Sequence, residues 1–516
     1  MRLSDVIRAM GPLLSAPVAG ADPDIRSVHY RAQDVARGGL FVAIPGFRSD
    51  GHDFVDEAVR RGAAAVLAGR PVAAPVPVVR VEDPRRAMAA ASAAVFGHPS
   101  RRATLVGVTG TNGKTTVSYL LESILAAAGH RVGVIGTVEV RYGDVRTESA
   151  RTTPESPDLQ KTLADMVSAG VTHVVLEVAS HGIELGRVDH VAFDAAVFTN
   201  LSQDHLDFHG DMERYWACKR RLFTELLRTG PKSGGAVAVV HRDDPRGDAL
   251  FPELSGPALS VGISPGRDVH VLEERCDAAG IRAAIRLPGG RIEVTSPLVG
   301  RHNLQNLLCA AGAAVALGVA PKDVAVGLNR APAAPGRLEA VADPAGRFVY
   351  VDYAHTPDAL ENVLNALGRL KTGRLICVFG CGGDRDRRKR PRMGAIATRL
   401  SDLAVVTSDN PRSEAPMTII QDILEGIDAG AEAVQSADAW RRRPRSTGIV
   451  VEPDRREAIG LAIAAAAPGD IVLVAGKGHE TYQIVGERTL PFDDRKEVAA
   501  ALRRAVPSPA GGVRPQ

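Results

Sequence analysis

The densest chemistry in the chain is the run Gly107-Val-Thr-Gly-Thr-Asn-Gly-Lys-Thr-Thr116. It follows the apolar stretch TLVGVTG (104–110) and opens a segment with Val117, Leu120, Leu121, Ile124 and Leu125 on one helical face. A strand, a glycine-rich loop and a helix N-terminus in that order make a phosphate cradle. Glycines let backbone N–H groups reach phosphate oxygens, and the helix end adds a favourable dipole. Lys114 is placed to reach the β- and γ-phosphates, and the Thr115 hydroxyl to hold Mg²⁺. The match to G-x-x-x-x-G-K-[ST] departs at Val108, where the first glycine belongs. ATP or another nucleoside triphosphate is the expected cofactor.

Glu177 ends the run HVVLEV, where a carboxylate for Mg²⁺ belongs beside a phosphate loop. A solvent-facing strand end explains it equally well. The run Asn200–Gly210 packs Asp204, His205, Asp207 and His209 together. That density suits metal or phosphate contacts, and spacing alone does not choose between these and a structural role. Lys219, in ERYWACKRRLF, reads on its own as a surface ammonium.

These residues need elements to hold them. Short apolar runs alternate with helix-length segments, the rhythm of α/β domains with mostly parallel sheets. The chain of 516 residues, at roughly 150 residues per domain, allows about three domains. Punctuation at Gly97-His98-Pro99 and at APAAPGRLE (331–339) divides it into 1–101, 102–335 and 336–505, with 506–516 a disordered tail. The polar, basic segment 431–447 reads as a solvated loop.

Composition excludes several classes. Lys+Arg 63 against Asp+Glu 60 gives a net charge of only +3, which argues against a polybasic nucleic-acid binder. Aromatic content of 4% is too low for rows of base-stacking platforms. No apolar run approaches the ~18 residues of a membrane span. Asp5 and Arg8 interrupt what a signal peptide would keep apolar. The five cysteines are scattered without a C-x-x-C pair and read as reduced thiols. A cytoplasmic protein, not integral to a membrane, is the expectation.

The motifs together resemble the Mur ligases, the ATP-dependent amino-acid ligases of peptidoglycan precursor synthesis. They are TGTNGKTT (109–116), Glu177, TNLSQDHLDFHG (199–210), Lys219, GRHNLQN (300–306), PGRLE (335–339) and DYAHTPDAL (352–360). GCGGDRDRRKRP (380–391), SDNPRSE (408–414) and GKGHETYQ (476–483) are similar to the members that add meso-diaminopimelate to UDP-N-acetylmuramoyl-L-alanyl-D-glutamate. The Asp-Asn-Pro-Arg sequence at 409–412 separates those members from lysine-adding ones. The resemblance implies a three-domain α/β architecture, with a central P-loop ATPase-like parallel-sheet domain and a Rossmann-like C-terminal domain.

The resemblance also implies the site. ATP would lie on Thr109, Gly110, Thr111, Asn112, Gly113, Lys114, Thr115 and Thr116, with Arg301 and Asn303, and with Arg337 and Asp352 from the third domain. One Mg²⁺ would sit at Thr115 and Glu177, and a second near His205 and Lys219 carrying CO₂ as a carbamate. Lys114, Lys219 and His205 are the expected catalytic residues. The UDP-sugar end would use Ser27, Phe47, Arg48 and Ser49. The muramoyl dipeptide would use Thr152, Thr153, Ala179, Ser180 and Arg187, and Ala179 stands where the family commonly has a serine. Diaminopimelate would meet Arg385, Asp409, Asn410, Pro411, Arg412, Gly476 and Glu480, with Arg412 on the distal carboxylate that lysine lacks. The partners implied are these small molecules, with no nucleic acid, and the chain acting as a monomer. A nucleotide switch or motor would share the phosphate loop and need neither Lys219 nor an amino-acid clamp.

Overall fold

The computed structural model describes residues 1–14, 21–46, 49–427, 434–442 and 447–505. The chain divides into two compact units. The first comprises residues 1–272, 284–293 and 305–331, and the second 273–283, 294–304 and 332–516.

The first unit opens with a parallel four-stranded sheet, Ser27–His29, Gly39–Ala43, Ala63–Ala68 and Val78–Arg80. Gly39–Ala43 is buried at every position, as a strand covered on both faces must be. The helix Pro84–Val95 follows, capped by Asp83, which accepts from the N–H groups of Arg85 and Arg86. An eleven-stranded sheet comes next, with Thr104–Thr109 at its centre between His173–Glu177 and Ala195–Phe198, all parallel. The helix Lys114–Ala127 covers this sheet with Val117, Leu120, Leu121, Ile124 and Leu125, each at most 1% exposed. The parallel order matters for function: Thr109, Glu177 and Phe198 end neighbouring strands, so the loops leaving them meet on one edge.

The second unit holds a seven-stranded sheet. Its parallel core runs Phe348–Asp352, Ile471–Ala475, Leu375–Phe379, Leu403–Val406 and Gly448–Val451, and Glu339–Val341 adds an antiparallel edge. The α/β fold with a parallel central sheet and a Rossmann-like C-terminal sheet is therefore as expected from sequence. The hairpin Tyr482–Val485 with Arg488–Pro491 lies outside that sheet.

One reading needs correction. The described part of 431–447 is no solvated loop: it contains the strand Gln435–Ser436 and the helix Ala437–Arg442. Ala437 and Trp440 fall three residues apart on one face and are 5% and 7% exposed. Asp438 and the two arginines of that helix face water. Phe47, Arg48 and the tail 506–516 lie outside the described residues. Among the described residues, no helix is long and apolar enough to cross a membrane.

Candidate active site

The phosphate loop is held from two sides. Gly110 and Gly113 have φ of +147° and +86°, and a Cβ on either would strike Thr199 Oγ1 or Asn306 Oδ1. Glycine is therefore required at both positions. Gly113 precedes the helix Lys114–Ala127 and, lacking a side chain, makes no cap of its own, so the positive end of the helix dipole opens onto the loop. The segment after Phe198 clamps the loop. Thr199 Oγ1 donates to Asn112 O (2.6 Å), Asn112 N–H donates to Asn200 Oδ1 (3.0 Å), and Thr111 Oγ1 donates to Ser202 O (3.1 Å).

Two lysines converge on one carbonyl. Lys114 Nζ donates to Gly110 O and Thr111 O, each at 2.9 Å, and Lys219 Nζ also donates to Gly110 O at 2.9 Å. Lys219 is 1% exposed, because the helix Met212–Thr224 turns it inward with Tyr215 and Leu222. Burial, reinforced by Lys114, pushes its ammonium well below the ordinary lysine value. The isolated reading of Lys219 as a surface ammonium therefore fails.

Glu177 is also buried, at 1% exposure. Its carboxylate accepts from Thr115 Oγ1 (3.1 Å), Thr137 Oγ1 (2.7 Å) and Thr137 N–H (3.2 Å). Thr152 Oγ1 lies 3.0 Å from Thr137 Oγ1, and Thr153 Oγ1 donates to Glu177 O at 2.8 Å. Thr153 also accepts from Ala179 N–H, and Arg187 donates to Thr153 O. His209 Nε2 meets Ser180 Oγ at 3.0 Å. His181 packs edge-on to His205 with ring centres 4.8 Å apart. Partial burial, reinforced by His205 and His209, brings the His181 pKa down to about 4. In the four-stranded sheet, Ser27 Oγ lies 2.7 Å from His29 Nε2, and Ser49 accepts through its carbonyl from Gly46 N–H.

The second unit gathers a different set. Asp409 and Asn410 follow the strand Leu403–Val406 and are 6% and 3% exposed. Lys477, fully buried, donates to Asn410 Oδ1 and Glu480 Oε2, both at 3.0 Å. Asn410 Nδ2 donates to Glu480 Oε2 (2.9 Å), and the Ile484 N–H donates to Asn410 Oδ1 (2.9 Å). Gly476 has φ +119°, and a Cβ there would come within 2.6 Å of Asp409 Oδ2. Arg412 takes φ +52°; its N–H donates to Ile484 O and its guanidinium to Gly383 O (2.8 Å). Arg385 is exposed on the loop after Leu375–Phe379. Elsewhere in this unit, Asp352 accepts from the N–H groups of Leu338 and Ala354, and burial raises its pKa. Arg337 lies over the Tyr353 ring at 5.0 Å. Asn303 donates to Val299 O, and exposed Arg301 pairs with Glu274.

Three domain models of one family match the chain. These are the Mur ligase family catalytic domain over residues 24–96, the Mur ligase middle domain over 108–314 and the Mur ligase glutamate ligase domain over 336–478. A Geobacter metallireducens protein named UDP-N-acetylmuramoyl-L-alanyl-D-glutamate–2,6-diaminopimelate ligase is 46% identical over 505 residues, 98% of each chain. The chain belongs to the Mur ligase family. A Gloeobacter violaceus protein of the same name is 45% identical over 94% of this chain and 95% of its own. A solved structure under that name has a TM-score of 0.67 at 32% identity, covering 93% of this chain and 95% of that one. The MurF ligase from Thermotoga maritima in complex with ADP shares the fold, with a TM-score of 0.59 at 21% identity over 93% of this chain and 97% of its own.

Mur ligases are ATP-dependent, and the donor set here fits a hard cation. Thr115 and Glu177 offer oxygens beside the phosphate loop. Among the described residues, no three or more His, Cys, Asp or Glu side chains form a cage that could hold a metal by themselves. Mg²⁺ suits that arrangement, since it keeps waters and substrate phosphates as ligands. Sequence reasoning missed Thr137 and gave no individual role to Thr199, Asn200 or Lys477, which lie inside motifs it quoted. Polar residues directly after buried strands were the available signal for Thr199 and Asn200, and the GKGHE run for Lys477.

Proposed function

We propose that this Mur ligase forms the amide between meso-2,6-diaminopimelate and the D-glutamate side-chain carboxylate of UDP-N-acetylmuramoyl-L-alanyl-D-glutamate, using ATP, in peptidoglycan synthesis. The observation that carries the reading is the 46% identity across 98% of both chains to a ligase of that name. A carboxylate does not accept an amine directly at neutral pH. Phosphoryl transfer from ATP makes the acyl phosphate, the amine attacks its carbonyl carbon, and phosphate leaves.

Lys114 and the N–H groups at the start of its helix offset the charge of the transferring phosphoryl group. Bound Mg²⁺, held by Thr115 and Glu177, supplies further charge neutralisation. A second Mg²⁺ site uses His205 and Lys219 as its carbamate. Burial favours that modification: the neutral amine forms an N–C bond to CO₂ and loses a proton, leaving an anionic oxygen donor. Ser27 with Phe47, Arg48 and Ser49 holds the UDP-sugar end. Thr152, Thr153, Ser180, Arg187 and the Ala179 backbone hold the dipeptide. Arg301, Asn303, Arg337 and Asp352 serve the nucleoside. Arg385, Asp409, Asn410, Pro411, Arg412, Gly476 and Glu480 serve the amino acid. Binding of the UDP-sugar falls to 1–101, of ATP and metal to 102–335, and of the amino acid to 336–505. The protein acts as a monomer in the cytoplasm, where its five unpaired thiols stay reduced.

Phosphate release from ATP tests the reading, measured with the UDP-muramoyl dipeptide and meso-diaminopimelate, LL-diaminopimelate or lysine. Strict dependence on both substrates, with meso-diaminopimelate preferred, is expected. Hydrolysis independent of either substrate would overturn the ligase reading, and equal turnover with lysine would overturn the assigned specificity.

A further inference from the structure

One buried carboxylate in the first unit serves three arginines. Glu155 Oε1 accepts from Arg151 Nη1 at 2.9 Å and forms an ion pair with Arg187 Nη2 at 2.9 Å, and Oε2 accepts from Arg85 Nη1 at 3.2 Å. The Glu155 side chain is 5% exposed and that of Arg187 10%. Glu155 stands at the start of the helix Ser156–Ser168, two residues beyond Thr153. Arg85 belongs to the helix Pro84–Val95, which follows the four-stranded sheet. The carboxylate thus joins the first section of the chain to the loop carrying Thr152 and Thr153.

Three guanidiniums on one carboxylate leave two positive charges in surplus. Burial lowers the Arg187 pKa, and Glu155 opposes that shift while Arg151 and Arg85 add to it. Arg187 also donates to Thr153 O at 3.1 Å, and its Nε is buried with no hydrogen-bond partner. A guanidinium so placed is held by its counter-charge and still has a donor and net charge to offer an anion. Without Glu155, Arg187 would face two like charges in a poorly hydrated place, and rotation away from Thr153 would relieve it.

We propose that Glu155 is a positioning residue for the UDP-muramoyl dipeptide: its carboxylate fixes the Arg187 guanidinium beside Thr153, ties it through Arg85 to the first section, and leaves surplus positive charge for the dipeptide's carboxylates. The inference rests on the reading of Arg187 as a dipeptide contact. Glu155 touches no substrate itself, so its effect runs through KM for that one substrate.

The test is a double-mutant cycle of Glu155→Gln and Arg187→Ala, reading KM for each substrate, kcat and the thermal midpoint. Glu155→Gln raises KM for the UDP-muramoyl dipeptide about 10- to 100-fold, with KM for ATP and diaminopimelate unchanged. In the Arg187→Ala background the same change adds nothing further. Glu155→Asp, which keeps the charge, restores most of the affinity. The inference is overturned if Arg187→Ala raises that KM while Glu155→Gln does not, or if the two effects multiply. An unchanged KM in Arg187→Ala overturns the reading of Arg187 itself, and the inference with it. Should Glu155→Gln not fold, Glu155→Asp in both backgrounds carries the same cycle with a smaller rise.

Discussion

In the phosphate loop the polar partners are largely backbone groups. Gly110 O receives two lysines, Thr111 O one of them, and Asn112 offers its N–H and C=O to Asn200 and Thr199. Around Asp409–Arg412 the partners are largely side chains, buried Lys477 and partly buried Glu480 and Gln483, with the Arg455–Asp494 pair at 0% exposure on both sides. Arg455 also donates to Ser408 O and Ala475 O, so one guanidinium braces the ends of two strands. A backbone cradle suits a phosphate, which every family member must bind. A network of side chains suits an amino acid, whose identity must be discriminated. The first site should therefore fail in rate when altered, and the second in stability or selectivity.

The sharpest break in that contrast comes from Lys219→Ala. Activity should fall about 10³-fold, with partial rescue by short carboxylic acids that replace the carbamate oxygens. Ordinary turnover in a steady-state assay would remove the residue from the mechanism. Arg455→Ala should act oppositely, leaving Asp494 buried without its partner and lowering stability by about 3–5 kcal/mol in a denaturant melt. A loss of ATP affinity in that variant, with stability kept, would blur the distinction. Arg412→Lys should cut diaminopimelate selectivity over lysine about 10- to 100-fold in competition assays, with KM for ATP unchanged.

The smallest effect lies in acid. Partial burial holds His173, whose ring centre is 3.8 Å from that of His130, at a pKa of about 4, against 6.5 when unfolded. The unfolded chain binds the extra proton between those values, so this contribution is complete above pH 6.5 and lost as pH falls to 4. In the second unit, hydrogen bonds from Arg390 hold Glu414 at about 2, against an ordinary 4.5. Its contribution is complete above 4.5 and lost as pH falls through about 2. His173→Gln should flatten the stability slope between pH 6.5 and 4, and Glu414→Gln should leave that window untouched.

What was legible in the sequence follows the same contrast. The phosphate loop occupies ten consecutive residues between a strand and a helix, so adjacency alone exposes it. Thr199 reaches the site because Ala195–Phe198 lies beside Thr104–Thr109, and Thr137 because Val132–Ile135 lies beside His173–Glu177, an order that spacing does not encode. Lys219 was legible through family resemblance alone; its burial depends on which face the helix Met212–Thr224 turns inward. Glu155 was missed, and Lys477 given no individual role, because their meaning lies in partners 20 or more residues away, Arg85, Arg187 and Asn410 among them. Around 437–442, arginines masked two apolar residues three apart, and composition outweighed period.

The chain contains only two tryptophans, and the fold places one in each unit. Trp216, 8% exposed, lies 5.4 Å from the Phe198 ring on the helix that carries Lys219. Trp440, 7% exposed, anchors the short helix Ala437–Arg442 in the other unit. Each unit therefore carries its own intrinsic fluorophore. Replacing either indole by phenylalanine leaves an emission signal that follows the unfolding, quenching or ligand response of one unit alone, with no label attached.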